Sequence, residues 1–146
     1  MTDEYALGIA DNAFEDANYF DEGILPSKAV SGQLSFPNIT SLGYSAFYDC
    51  NGITSITIGE NVTSIKTSTF TFCSGLTSIT IPNKVESIGN YTFSSCYGLT
   101  SVTIPDSVTS IGDSAFIDCT NLTSVTFEGK DRATVQGMTN YPFGLN

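Results

Sequence analysis

The strongest constraint on this chain is that it repeats itself every 23 residues. Residues 73–89 read CSGLTSITIPNKVESIG, and residues 96–112 read CYGLTSVTIPDSVTSIG. Ile53, Leu76, Leu99 and Leu122 keep that interval, and so do Cys50, Cys73, Cys96 and Cys119. Phe47, Phe70, Phe93 and Phe116 make a third column, Leu42, Ile65, Ile88 and Ile111 a fourth, and Ile39, Val62, Val85 and Val108 a fifth. Self-similarity at a fixed period of this length marks an architecture in which each unit packs only on its neighbours.

Each unit carries its own local code. In LTSITI, Leu76 to Ile81, the alternation turns Ile79 and Ile81 inward and Ser78 and Thr80 outward, as in a short strand with one buried face. Pro82 lacks the N–H that a ladder needs and ends the pairing. VESIG is a second brief extended run, after which Gly89 or Gly112 is expected to supply a positive φ for the turn into YTF or SAF. One unit is then one coil, and one coil buries almost nothing. Coils stacked about 4.8 Å apart pair their strands and superpose their columns into a continuous core. The expected fold is a β-rich solenoid of about four coils with short parallel strands, capped at both ends.

The units LTSITIPNKVESIGNYTFSSC and LTSVTIPDSVTSIGDSAFIDC closely resemble the BspA-type leucine-rich repeat, with L-x-x-I-x-I-P, S-I-G, A-F and C elements in order. The resemblance covers residues 34–127. The first copy, LSFPNITSLGYSAFYDC, is one residue shorter between Pro37 and Ile39, as end repeats often are. Residues 1–33 are expected to form an acidic N-terminal cap. In it IADNAFEDA, residues 9–17, lines up with IGDSAFIDC as a worn half-repeat, and NYFDEGILPSKAVSGQ inserts about ten residues. Residues 128–146 are expected to form the C-terminal cap. They carry none of the repeat columns, DRATVQGM is compatible with two helical turns presenting Val135 and Met138, and Tyr141 and Phe143 bracket Pro142. This closing stretch resembles that of leucine-rich-repeat proteins in tailed phages and prophages of gut bacteria.

Fifteen acidic residues against five basic ones give a formal net charge of -10, and no basic cluster is present to displace counterions from a phosphate backbone. Nucleic acid is not an expected partner. No run reaches the roughly 18 apolar residues of a membrane span, and the opening MTDEYALGIADNAFEDANYF lacks the basic start and apolar stretch of a secretory signal. No membrane insertion is expected, and a place outside a cell would require another route of export.

The chain holds no histidine, which removes Ser-His and Cys-His nucleophile pairs. Asp106, Asp113 and Asp118 fall where the period predicts turns, a sufficient reason for Asp. The four cysteines lack any C-x-x-C pair and occupy one column with parallel side chains, which favours buried free thiols over bridges or a metal site. No enzyme, metal or cofactor is expected.

The outward rows carry the binding expectation. Ser55, Ser78, Ser101 and Ser124 form one row and Thr57, Thr80, Thr103 and Thr126 the next, with Thr54, Thr77, Thr100 and Thr123 continuing the surface. The resemblance implies that this strand lines a concave face that commonly holds a protein or glycan partner. Ser and Thr equally suit a solvated strand with no partner. An S-x-T array also resembles ice-binding faces, although those need a flat sheet. Sequons at Asn38, Asn61, Asn90 and Asn121 arise readily from repetition in a Thr-rich chain. The expected function is a non-enzymatic binding or structural module of a phage virion, at a tail or capsid surface, contacting protein, glycan or other virion proteins. The alternatives are a bacterial cell-surface adhesion module and a self-associating structural protein, a homo-oligomer joined through open strand edges.

Overall fold

The computed structural model describes Gly8, Ile9, residues 31–131, Pro142 and Phe143. These residues form a parallel β-solenoid of about four coils, with no helix among them. Its strands are β1 (Gly8–Ile9), β2 (Ser31–Phe36), β3 (Ser41–Leu42), β4 (Gly52–Ile58), β5 (Ser64–Ile65), β6 (Ser78–Thr80), β7 (Ser87–Ile88), β8 (Ser101–Ile104), β9 (Ser110–Ile111) and β10 (Ser124–Phe127). The longer strands make a five-stranded sheet in coil order β2-β4-β6-β8-β10, and the short ones make a three-stranded sheet β5-β7-β9 and a two-stranded sheet β1-β3.

The 23-residue period becomes register. Ile56 lies opposite Ile79, Thr80 opposite Thr103 and Val102 opposite Val125, so each side chain sits over its repeat equivalent. The shorter first copy pairs one residue out of step, Leu34 with Ile56 and Phe36 with Ile58. The slip is absorbed between Gly32 and Gln33, where Gly32 adopts φ 76°. Strand β2 therefore begins three residues before the point at which the repeat becomes recognisable in sequence. Strand β1 places Ile9 opposite Leu42, an offset of 33 residues, which is the period plus the ten inserted residues.

The core is the set of stacked columns. Phe47, Phe70 and Phe93 are fully buried, and their rings stack at 5.5 Å and 5.5 Å with interplanar angles of 6° and 7°. Phe116 continues the pile at 5.1 Å from Phe93. Each aromatic pair adds about 0.5–1.5 kcal/mol beyond the burial of its area. Leu76, Leu99, Val85 and Ile88 and their equivalents belong to the same buried cluster as the rings. Repetition thus gives each coil the apolar neighbours that its own residues are too few to provide.

The third run of each coil is built from turns. Ser45, Phe47 and Asp49 donate their N–H groups to the carbonyl oxygens of Thr67, Thr69 and Thr71 in the next coil, at 3.2, 2.9 and 2.8 Å, and the pattern recurs from Ser68, Phe70 and Phe72. Here the sequence expectation needs correction, because Gly89 and Gly112 do not adopt positive φ. The left-handed positions are instead Ser45, Ser68, Tyr91 and Ser114, followed four residues later by Asp49, Phe72, Ser95 and Asp118, with φ between 50° and 60°. Gly112 is required for a different reason. A Cβ there would lie 2.4 Å from the backbone N of Asn90 and 2.6 Å from the carbonyl carbon of Gly89, closer than the coils allow.

The C-terminal end also differs from expectation. The closing stretch does rejoin a repeat column: the Phe143 ring stacks on Phe116 at 5.6 Å, and Phe116 N–H donates to the Pro142 carbonyl oxygen at 2.7 Å. The offset of 27 residues hides this from a 23-residue comparison. At the other end Phe36 closes the pile against Phe47, tilted by 42°. The helical turns expected at DRATVQGM, the half-repeat residues Phe14 and Ala17, and most of the 18–33 insert lie outside the described residues.

Candidate functional site

The Ser and Thr rows occupy the outer face of the five-stranded sheet. Ser55 stands opposite Ser78 and Thr57 opposite Thr80, and Ser101 and Thr103 stand opposite Ser124 and Thr126. Thr57, Ser78, Thr80, Ser101, Thr103, Ser124 and Thr126 are exposed, and Ser55 is half-buried. The alternation puts Ile56, Ile79 and Val102 on the opposite, buried side of the same strands. Adjacent hydroxyls are thereby spaced about 4.8 Å across strands and about 6.6 Å along them. All eight residues named from the sequence thus share one face.

Two further residues belong to this face. Gln33 lies opposite Ser55 and Ser35 opposite Thr57, so the first strand extends both rows with exposed polar side chains. They escape a strict 23-residue alignment because of the shortened first copy. The alternation Leu34, Phe36 inward with Gln33, Ser35 outward was the signal that could have found them.

The hydrogen bonding separates this face from its margins. Thr77 and Thr123 donate their hydroxyls to the carbonyl oxygens of Thr54 and Thr100 one coil back, at 3.2 and 3.3 Å. Buried Thr69 and Thr92 donate to the carbonyl oxygens of Lys66 and Gly89, three residues earlier in their own coils, at 2.8 and 2.7 Å. The eight face hydroxyls make no hydrogen bond to any described residue, which leaves each a donor and an acceptor toward whatever covers the face. The rows themselves contain no charged side chain. At their edge a recess of about 280 Å³ is lined by Thr80, Thr103, Pro105, Asn83 and Glu128, with Ile79 and Ile81 beneath.

Burial is the largest cause raising the thiols of Cys73, Cys96 and Cys119, the last to about 11, so all three stay protonated and un-nucleophilic near neutrality. None of the four cysteines forms a disulfide. Asp106, Asp113 and Asp118 lie in turns, and no group of metal-ligating side chains occurs among the described residues. The same residues include no helix long and apolar enough to cross a membrane. A regular array of hydroxyls on a rigid sheet is suited to reversible hydrogen bonding.

Comparison with known proteins agrees with this architecture. A leucine-rich cell surface protein from Faecalibacterium prausnitzii A2-165 superposes over 100% of the chain, with a TM-score of 0.76 and 26% identity. A leucine-rich repeat protein from Bacteroides ovatus ATCC 8483 matches over 82% of the chain with a TM-score of 0.69 and 30% identity. The chain spans 35% and 28% of the lengths of these two proteins. A leucine-rich repeat protein of T. pallidum, at 24% identity and a TM-score of 0.66 over 84% of the chain and 64% of its own length, shares the fold. No curated protein sequence matches the chain. Six copies of the BspA type leucine rich repeat region match over residues 8–143, and the chain belongs to that family.

Proposed function

We propose that the chain is a non-enzymatic binding module that uses the Ser and Thr face of its five-stranded sheet to hold a protein or glycan partner outside the cell. The observation that carries this reading is the set of eight hydroxyls in register, all on one face and all without a described partner, beside neighbouring Thr hydroxyls that are engaged with backbone. Such a face offers many weak, directional contacts on a scaffold that loses little entropy on binding. The similar protein from Faecalibacterium prausnitzii is described as a cell surface protein, which supports a bacterial surface setting. The likeness of the closing stretch NYPFGLN to phage and prophage proteins supports a virion setting in which the same face contacts a host surface or other virion proteins.

A glycan and host-protein array probed with the wild-type chain, and with a variant carrying Ser78→Lys, Thr80→Lys, Ser101→Lys and Thr103→Lys, tests the face. Binding by wild type and its loss in the variant is the expected result, and equal binding by both would end the proposal. Mass spectrometry of purified particles and of surface-shaved cells from the source culture separates the two settings.

A further inference from the structure

The turn-built side of the solenoid contains two residues that its backbone does not favour. Each coil enters the left-handed region twice, and most of those positions hold Ser or Asp: Ser45, Ser68 and Ser114 in one column, Asp49, Ser95 and Asp118 in the other. Phe72 (φ 60°) and Tyr91 (φ 54°) break this pattern. A bulky side chain in that region is strained, and such strain concentrates where it serves a function. Core packing does not offset it, because Phe72 is 39% exposed and Tyr91 47% exposed. Phe72 is held in place by the Tyr48 ring, edge-on at 5.6 Å and 82°, while Tyr91 donates its N–H to the Asp113 carbonyl oxygen at 3.0 Å.

The surroundings of these rings specify a charge. The charged residues described on this side are Asp49 and Asp118 in the column of Phe72, Asp113 beside Tyr91, and Lys66. Lys66 already shows what the aromatic groups here accept, since its ammonium lies 4.9 Å from the centroid of the exposed Tyr44 ring. We propose that this side, centred on Phe72 and Tyr91, docks an arginine- and lysine-bearing segment of a partner protein. The ring faces attract cations, the guanidinium plane stacks on them, and the carboxylates of Asp113 and Asp118 complement the charge. The net charge of -10 accelerates the encounter. This surface is distinct from the Ser and Thr face, so the two proposals succeed or fail separately.

The test titrates the full chain with a ten-residue Arg-Gly repeat peptide and its Lys-Gly counterpart, followed by calorimetry and by NMR shifts of the aromatic resonances. Wild type is expected to bind the Arg peptide more tightly than the Lys peptide. Replacing Phe72→Leu and Tyr91→Leu keeps bulk and charge and is expected to weaken Arg-peptide binding about tenfold. Phe72→Ser with Tyr91→Ser, the residue other coils place in the same two columns, is expected to do the same and guards against a leucine variant that folds poorly. The lysine variant of the Ser and Thr face should still shift the Phe72 and Tyr91 resonances on peptide addition. Undiminished binding by both aromatic variants, which would assign the affinity to net charge alone, overturns the proposal, and so does an absence of wild-type binding at low salt.

Discussion

The thiol of Cys96 donates to the carbonyl oxygen of Phe70, 3.2 Å away in the preceding coil. Cys73 does the same to Phe47 at 3.1 Å and Cys119 to Phe93 at 3.0 Å, so the cysteine column stitches each coil to the one before it at the turn that carries the Phe pile. A small apolar side chain with a weak donor fits this slot, where it adds a second donor to a carbonyl that already accepts a backbone N–H from three residues on.

These thiols predict a pH dependence. Their folded pKa values are raised above the ordinary value of 9.0, to about 11 for half-buried Cys119 and further for Cys73 and Cys96, with burial as the leading cause. Above pH 9 the unfolded chain releases these protons while the folded chain retains them, so stability present below pH 9 is lost as pH rises. For Cys73 and for Cys96 the loss approaches about 1.4 kcal/mol per pH unit. Denaturant melts from pH 8 to 10.5 should fall less steeply in a Cys73→Ala, Cys96→Ala variant, and identical slopes would contradict the assignment.

Thiol reactivity should follow the same order. In the native state a disulfide-exchange reagent is expected to label Cys119 first, while Cys50, Cys73 and Cys96 react only on opening of the fold. Equal labelling rates for all four, measured by peptide mass spectrometry, would show that the column is not packed as described.

The ring pile sets a gradient of mutational cost. Phe93→Ala removes a fully buried ring stacked on both sides and is expected to cost about 3–5 kcal/mol. Phe143→Ala removes a ring that stacks on Phe116 and is 42% exposed, and is expected to cost about 1 kcal/mol. Urea unfolding of the two variants checks the ratio.

Gly112→Ala should destabilise the chain by about 1–3 kcal/mol, because the new methyl group meets backbone of Asn90 and Gly89 and the coils must separate to admit it. A change of under about 0.5 kcal/mol in the same assay would show that the approach is looser than the contacts imply.

Tyr91→Asn is expected to leave stability unchanged or raise it by up to about 1 kcal/mol. Asparagine tolerates the left-handed region at φ 54°, and the lost ring is 47% exposed. A thermal melt decides, and a clear loss of stability would mean the ring has a structural duty.

Much of this architecture is legible in the sequence, for reasons visible in particular residues. Ile79 and Val102 alternate with Ser78, Thr80, Ser101 and Thr103, so strand periodicity alone separates the buried face from the candidate binding face. Other features were hidden. Gln33 and Ser35 were masked by a one-residue deletion, and Phe143 by four extra residues, since a column comparison detects equal spacing and not equal position. The aromatic side was unreadable because Tyr48, Phe72 and Tyr91 occupy three different repeat columns.

By itself the sequence determined the period, the interior columns and the parallel register, because stacking identical units leaves only one alignment in which every apolar side chain meets its equivalent. Only the tertiary structure decided where the left-handed turns fall, why Gly112 must lack a side chain, and which residues from different columns share a surface. Those depend on how closely backbone of one coil approaches backbone of the next, a distance that no single coil encodes.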